Sequence, residues 1–160
     1  MALTLQIIGH KKSGKTTLIK DFLMMTDYKF SIVKHTHLPI DIPNTTDTGK
    51  FFEHSDDVLL LNNEQMIHYQ RNVPMTELEK IKLMQQNTSA DFIIIEGIKE
   101  LDFPKVVLLK PNETKNDFVK ITNIKKFVSI QGNKQAEDIE NMTKRKQFIN
   151  NFLKDIQNDR

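Results

Sequence analysis

The stretch that most constrains this chain is Gly9–Thr16, which reads Gly-His-Lys-Lys-Ser-Gly-Lys-Thr. It matches the pattern G-x-x-x-x-G-K-T. In that pattern the glycines let backbone N–H groups converge on a phosphate. Lys15 adds a positive charge, and the hydroxyl of Thr16 can bind Mg²⁺. We therefore interpret the stretch as a phosphate-binding loop.

The flanking sequence predicts the strand and the helix that such a loop requires. Residues 3–8 form an apolar, β-prone run, and apolar residues recur at helical spacing from Lys15 to about Thr26. The N-terminus of this helix would be directed at the phosphates, where its dipole favours negative charge. The residues that we expect to contact the phosphates are Gly9, His10, Lys11, Lys12, Ser13, Gly14, Lys15, Thr16 and Thr17.

Composition limits the class of protein. A length of 160 residues suits one domain, so we expect a single nucleotide-binding domain over residues 1–160. The absence of cysteine fits the reducing cytoplasm, where we expect the protein to act. We expect neither a signal peptide nor a membrane span at the N-terminus. The net charge of +2, with lysines spread along the chain, gives no indication of nucleic acid binding.

Residues 30–35 read as a second strand, which a βαβ unit would place parallel to the first. Residues 36–49 follow with two prolines, two acidic residues and no regular period, so we expect a loop. Because this loop leaves the ligand-facing end of a strand, Asp41 and Asp47 are candidates for a metal-binding or switch segment. A solvated connection built on Asx turns is the alternative.

The middle of the chain predicts a short helical turn at residues 50–55 and then a β-hairpin from Val58 to Tyr69. The hairpin would make part of the sheet antiparallel. Its edges carry unpaired backbone groups, so it is our candidate for a dimer interface.

A helix is predicted to begin after Pro74 and to run to about Asn87. Thr76 and Glu79 have the spacing of a capping box. Leu78, Ile81 and Met84 lie on one helical face, which we expect to be buried.

The stretch Asp91–Gly97 reads Asp-Phe-Ile-Ile-Ile-Glu-Gly, which is typical of a strand buried on both faces of an α/β sheet. A carboxylate at the end of such a strand can hold Mg²⁺ or its waters beside the phosphate loop, so Glu96 is a candidate for this role. Gly97 would let the chain turn close to the ligand. The alternative is that Glu96 begins an ordinary surface turn.

The last third predicts strands at residues 105–109 and 126–130, separated by a polar surface loop at 111–117, and a helix from about Ala136. The apolar stripe of this helix would be Ile139, Met142, Ile149, Phe152 and Ile156, with Lys144, Arg145 and Lys146 in solvent. The predicted fold class is α/β, a P-loop NTPase three-layer sandwich with a mixed, mostly parallel sheet.

Two further features are less specific. His35 and His37 lie near a strand end, where a polar contact near the nucleotide is favoured over a zinc site, because no third ligand is evident. Asn133-Lys134-Gln135-Ala136 is similar to the guanine-reading N-K-x-D loop of GTPases but lacks its aspartate. Guanine specificity therefore does not follow from it.

Several of these stretches together resemble the MobB proteins of molybdenum cofactor biosynthesis. They are Gly9–Thr17, Val33–His37, the loop with Asp41, Asp47 and Thr48, and Asp91–Lys99 followed by Phe103-Pro104-Lys105. The resemblance covers about residues 2–110.

The resemblance implies a GTP-binding homodimer that assists the nucleotidyltransferase MobA in joining GMP to molybdopterin, which yields the guanine dinucleotide. It implies a weak Mg²⁺-dependent GTPase or an adapter. Lys15 and Thr16 would take the phosphate and Mg²⁺ roles, Glu96 the second acidic role, and Asp41 and Asp47 positions near the metal. On this basis Lys15 and Glu96 are our candidate catalytic residues.

The chain departs from the family pattern P-G-K-D-S/T-x-R, because Lys50 stands where the family has arginine. A lysine cannot make the bidentate anion contact of an arginine. His54-Ser55-Asp56 also replaces a turn that resembles A-G-A in the family.

Two other functions are compatible with a phosphate loop. One is a small-molecule kinase in which residues 36–49 grip an acceptor, although such kinases rely on several arginines and this chain has only Arg71, Arg145 and Arg160. The other is a nucleotide-gated interaction module unrelated to molybdenum. The sequence offers no evident catalytic base or arginine finger, so we expect weak hydrolysis at most.

Overall fold

The computed structural model describes residues 1–38, 40, 42, 44–71 and 73–159, which form eight strands and four α-helices. The strands are β1 (Leu3–Ile8), β2 (Phe30–Lys34), β3 (Asp57–Leu61), β4 (Met66–Gln70), β5 (Phe92–Glu96), β6 (Lys105–Leu108), β7 (Ile124–Ser129) and β8 (Glu137–Asp138). The helices are α1 (Lys15–Met25), α2 (Asp47–Glu53), α3 (Glu77–Asn87) and α4 (Met142–Asn158), with a 3₁₀ helix at Lys115–Phe118. Among the described residues, no helix has the length and apolar character needed to cross a bilayer.

The chain divides into two compact units. The first contains Met1–His35 and Ile81–Arg160, and the second contains Thr36–Lys80. The first unit carries a six-stranded sheet in the order β2-β5-β1-β6-β7-β8, and every neighbouring pair is parallel. Because the strands are parallel, the segments that follow β1, β2 and β5 all leave from one edge of the sheet.

Both faces of this sheet are covered, which explains why its central strands are apolar throughout. One face packs on α1 and α4 through a buried cluster that includes Leu5, Ile7, Leu18, Phe22, Phe92, Ile94, Val106, Leu108, Ile149 and Phe152. On the other face, Ile93 and Ile95 pack on Ile81 of α3. Ile8, Val107 and Leu109 pack on Phe118 of the 3₁₀ helix. The first unit is therefore a three-layer α/β sandwich.

Two buried polar side chains hold the connection between β5 and β6. The amide of Gln6 donates to the carbonyls of Gly97 and Ile98, at 3.0 and 2.8 Å, and accepts from the N–H of Phe103 at 3.3 Å. The ammonium of Lys105 donates to the carbonyls of Leu101 and Phe103. Both residues are fully buried, so these bonds satisfy groups that water cannot reach.

The second unit consists of α2 and the hairpin of β3 and β4. The hydroxyl of Thr46 caps α2 by accepting from the N–H of Gly49 at 3.1 Å. Arg71, after the hairpin, places its guanidinium 4.0 Å from the centroid of the Phe52 ring and donates to the carbonyl of Phe52. This arginine therefore fastens the hairpin to α2.

Several predicted elements are confirmed, and others are corrected. The hairpin is present, but β3 and β4 form a separate sheet and contribute no antiparallel part to the main sheet. The helix that we placed at residues 50–55 begins at Asp47, because Thr46 caps it. The Thr76–Glu79 capping box is confirmed.

The C-terminal helix begins later than predicted. Residues 137–138 first add a short parallel strand, β8, to β7, and α4 starts only at Met142, after Asn141 caps it. Ile149, Phe152 and Ile156 are buried as expected, whereas Met142 is 65% exposed. In α3, Ile81 is buried but Leu78 is 37% exposed, because only part of the predicted stripe faces the sheet.

Arg145 is also not the solvated residue that the run Lys144–Lys146 predicts. Its Nε lies 2.6 Å from Oδ2 of Asp21 on α1, and the two side chains are only 11% and 14% exposed. The guanidinium also donates to the carbonyls of Ile139 and Glu140. The ion pair therefore joins α4 to α1 on one face of the sheet.

Replacing Asp21 by alanine should destabilise the fold. The change leaves the guanidinium of Arg145 without its carboxylate in a largely buried position, and the free energy of unfolding should fall by about 3 kcal/mol. Guanidinium denaturation measures this loss. Asp27→Ala, which removes an exposed carboxylate just after the same helix, is the control and should change stability by less than about 0.5 kcal/mol. Equal effects of the two substitutions would contradict a stabilising role for the pair.

Candidate functional site

The phosphate loop lies between β1 and α1, at the edge of the sheet where parallel strands end. The ammonium of Lys15 donates to the carbonyl of Gly9 at 2.8 Å and to that of His10 at 3.0 Å. An ammonium group has three N–H donors, so these two bonds leave one for a phosphate oxygen. The lysine is thus held over the loop by the loop itself.

Two positions in the loop have no room for a side chain. A Cβ atom at Gly9 would lie 2.4 Å from Oγ of Ser13 and 3.0 Å from the carbonyl oxygen of Leu108. Gly14 has a φ of 100°, in the left-handed region, and a Cβ there would lie 3.0 Å from Cδ1 of Ile130. The glycines of the motif are therefore required by packing and by backbone conformation.

The loop is braced from the strand end of β7. Gln131 donates from Nε2 to the carbonyl of Lys12 at 2.7 Å. Lys12 itself has a φ of 66°, which is uncommon for a residue other than glycine. The hydroxyl of Ser13 is buried and has no hydrogen-bond partner among the described residues. The residue after β7 thus supports a tight turn in which the backbone of Lys12 and the hydroxyl of Ser13 are in unfavourable states.

An unexpected carboxylate lies beside the loop. Oε1 of Glu113, in the segment after β6, is 2.7 Å from Nδ1 of His10. The other carboxylate oxygen accepts from the N–H of Lys110 at 2.9 Å. Asn133 holds this segment by donating to the carbonyls of Lys110 and Glu113 at 2.7 and 2.8 Å.

Partial burial raises the pKa of Glu113, but hydrogen bonds from the Lys110 backbone, from His10 and from the Lys110 ammonium outweigh this effect. The pKa of the carboxyl therefore lies below its usual value, and Glu113 is ionised at neutral pH.

The charge of Lys15 is set by three influences. Burial lowers the pKa of its ammonium below the usual value, and the negative charges of Glu96 and Glu113 partly offset that effect. Glu96 ends β5, in register with Ile7 of β1. The predicted acidic residue at this strand end is therefore electrostatically coupled to the phosphate-loop lysine.

The remaining predicted site residues are distributed as follows. Thr16 and Thr17 are exposed on the first turn of α1, and Lys11 and Lys12 are exposed in the loop. Asp47 belongs to the second unit, where its side chain is 85% exposed and lies 3.6 Å from Lys50. Asp41 falls outside the described residues.

Metal binding at these positions stays a prediction. Within the described ranges, no group of three or more His, Cys, Asp or Glu side chains is arranged to hold a metal. The hydroxyl of Thr16 and the carboxylate of Glu96 are nevertheless hard oxygen donors of the kind that Mg²⁺ prefers, and a phosphate would supply further oxygens. The donor set therefore fits this ion.

Sequence reasoning missed the residues that support the loop from β6 and β7. Glu113 is 103 residues from His10, and Gln131 is 119 residues from Lys12. No motif spans such distances. Asn133 belongs to the stretch that is similar to a guanine-reading loop. In the structure its side chain donates to the backbone of the segment that carries Glu113.

A cavity of about 500 Å³ adjoins the phosphate loop. It is lined by the start of the loop (8–10), by Lys99 and Glu100 after β5, and by residues 116–121. The ring of His10 packs on Phe118 in this wall, with the ring centroids 4.9 Å apart. The volume lies in the range of small-ligand sites.

Comparison with known proteins identifies relatives. The family described as MobB, molybdopterin guanine dinucleotide synthesis protein B, matches residues 4–130. A molybdopterin-guanine dinucleotide biosynthesis adapter protein of Methanocaldococcus jannaschii is 33% identical over 112 residues, which are 67% of this chain and 47% of that protein. The adapter protein of Haemophilus influenzae is 28% identical over 116 residues, which are 69% of this chain and 65% of that protein. The chain thus matches about half of the first relative and just under two thirds of the second.

Solved structures share the fold. The crystal structure of a MobB homolog from Bacillus stearothermophilus covers 97% of this chain and 98% of its own, with a TM-score of 0.68 and 18% identity. Bacillus subtilis MobB covers 92% and 96%, with a TM-score of 0.68 and 21% identity. At these identities the likeness concerns the fold.

Replacing Glu96 or Glu113 by glutamine should lower the pKa of Lys15 further. Both carboxylates favour the charged ammonium, so their removal leaves the effect of burial less opposed. The titration of the Lys15 side-chain carbon Cε by NMR measures the change in Glu96→Gln and Glu113→Gln. Glu64→Gln, in the other unit, is the control and should leave the titration unchanged. An unchanged midpoint in both site variants would show that neither carboxylate acts on Lys15.

Proposed function

The chain belongs to the MobB family, and from this we propose that it binds GTP with Mg²⁺ and serves as an accessory protein in the formation of molybdopterin guanine dinucleotide. The observation that carries the nucleotide part is the geometry of Lys15. Its ammonium is fixed by two loop carbonyls and keeps one N–H for a phosphate. Guanine is proposed from the family.

Magnesium would be held by Thr16 and Glu96 in the first unit, and Asp41 and Asp47 are the other two residues that we propose for this role. The ion would offset the negative charge of the phosphates. The part of the first unit is to present the oxygens of Thr16 and Glu96 beside the positive charge of Lys15.

The use of the arginines favours an accessory role over a small-molecule kinase. Arg71 is stacked on Phe52 and bonded to its carbonyl, and Arg145 is paired with Asp21. Arg160 lies outside the described residues. Both described arginines thus have partners within the protein, which favours a structural use of these side chains over a phosphoryl clamp. We propose that the partner is a MobA-like nucleotidyltransferase in the cytoplasm, with molybdopterin or its guanine dinucleotide as the shared small molecule.

Lys15→Ala should lower the affinity for GTP by at least about 30-fold, because it removes a charge-assisted bond to phosphate worth about 2 kcal/mol or more. Isothermal titration with GTP measures this affinity. The same titration with ATP measures the preference for guanine over adenine. Lys20→Ala, an exposed lysine on the same helix, is the matched control and should bind normally. Equal binding by wild type and Lys15→Ala would exclude the proposed site.

The adapter role has a separate readout. Adding the protein to a MobA-like transferase with GTP and molybdopterin should increase the yield of guanine dinucleotide, and Lys15→Ala should not. Normal GTP binding without this effect would retain the nucleotide site and exclude the role in this reaction.

We also propose that the protein is a homodimer that pairs through the β3–β4 hairpin. Five large apolar residues on its strands are about half or more exposed: Leu59, Leu60, Leu61, Met66 and Ile67. Among the described residues, each strand of this two-stranded sheet pairs along one edge only. Exposed apolar residues beside unpaired edges favour association with a second copy.

Leu60→Asp should convert the dimer to a monomer. Leu60 lies directly opposite Ile67 in the hairpin, so the new carboxylate would be buried without a partner in any interface that covers this pair. Sedimentation velocity measures the change. Leu38→Asp, at a residue that is 75% exposed outside the hairpin, should leave the dimer intact. A monomeric wild-type protein would exclude the proposal.

A further inference from the structure

The pair formed by His10 and Glu113 has the geometry of an oriented base. An ionised carboxylate only accepts hydrogen bonds, so the Nδ1 atom that faces Glu113 at 2.7 Å carries the hydrogen. Neutral His10 therefore keeps its lone pair on Nε2. The side chain is 54% exposed, so solvent reaches the ring.

The surroundings limit the motion of both partners. The ring of His10 packs on the buried Phe118. Glu113 is only 13% exposed and is held by the backbone N–H of Lys110 and by the Lys110 ammonium, 3.3 Å from Oε1. The backbone of Glu113 is held in turn by Asn133. Such a chain of contacts, from base to orienting carboxylate to bracing residues, is the arrangement used to activate a nucleophile.

His10 is also part of the phosphate loop, and its carbonyl accepts from Lys15. The residue lines the cavity that adjoins the loop. The other charged groups that line the cavity are Lys99, Glu100, Asp117 and Lys120. Asp117 is occupied, because it accepts from the N–H and the hydroxyl of Thr114.

We propose that His10 is the proton acceptor for hydrolysis of the bound nucleotide, with Glu113 as the residue that positions its ring. This inference rests on the proposed binding of a nucleoside triphosphate. A water molecule gives a proton to Nε2 as its oxygen bonds to the γ-phosphorus. The bond from that phosphorus to the β–γ bridging oxygen breaks, the diphosphate leaves with the electron pair, and His10 then releases the proton to solvent.

The test is single-turnover hydrolysis of GTP at saturating protein, so that the rate is read from bound nucleotide. His10→Ala should slow this rate by about 100-fold, within the usual effect of a general base. Imidazole added to His10→Ala should restore part of the rate, which a purely structural role would not allow. His54→Ala, an exposed histidine in the second unit, is the control and should hydrolyse GTP as wild type does.

Glu113→Gln separates the positioning role of Glu113 from a role in stability. The variant should hydrolyse bound GTP about tenfold more slowly, because the carboxylate that orients the ring is gone, while its affinity for GTP and its free energy of unfolding stay near the wild-type values. Glu113→Asp, which keeps a carboxylate, should recover part of the lost rate.

The outcomes are distinguishable from those of the proposed function. If wild-type protein binds GTP but does not hydrolyse it, or if His10→Ala hydrolyses it at the wild-type rate, the inference is wrong and nucleotide binding stands. If wild-type protein does not bind GTP, the proposed function fails first. Loss of rate in His10→Ala without rescue by imidazole, or hydrolysis of GTP by Glu113→Gln at the wild-type rate, would also overturn the inference.

Discussion

The candidate site depends on the connection between β5 and β6, which the buried side chain of Gln6 holds in place. A link between parallel strands usually needs about a dozen residues or more, yet residues 97–104 join β5 to β6 across β1. The register makes this possible, since β5 ends beside Ile7 and β6 begins beside Gln6. Residues 97–104 therefore only have to cross the end of β1, and the side chain of Gln6 forms hydrogen bonds with them. Glu96 is thereby held at the strand end next to the phosphate loop.

The sequence predicted the parts of this arrangement that are local. A strand, a glycine turn and a helix follow one another in the first residues, so their chemistry can be read from neighbouring letters. The same holds for β5, because a run of isoleucines that ends in Glu96 is typical of a strand buried on both faces. The capping box at Thr76 and Glu79 is likewise encoded within four residues.

The parts that were missed depend on contacts between distant segments. Arg145 stands in a basic run that is typical of a solvated surface, and only the packing of α4 on α1 brings Asp21 to it. Residues 137–138 form a strand because β7 lies beside them, a pairing that two acidic residues give no reason to expect. Glu113 belongs to a polar segment that reads as an ordinary loop until the fold places it against His10.

The charges at the site bear on the proposed weak hydrolysis. Glu96 and Glu113 act on the ammonium of Lys15, so negative charges of the chain already face this cation before any phosphate arrives. An arginine finger contributes roughly 10³ to 10⁵ in rate by neutralising the transferring phosphoryl group, and both described arginines have partners within the protein. A base at His10 would supply the proton transfer but not this neutralisation. On the proposed function, such a site would hold its nucleotide longer than it hydrolyses it, which suits a protein that acts through a partner's chemistry.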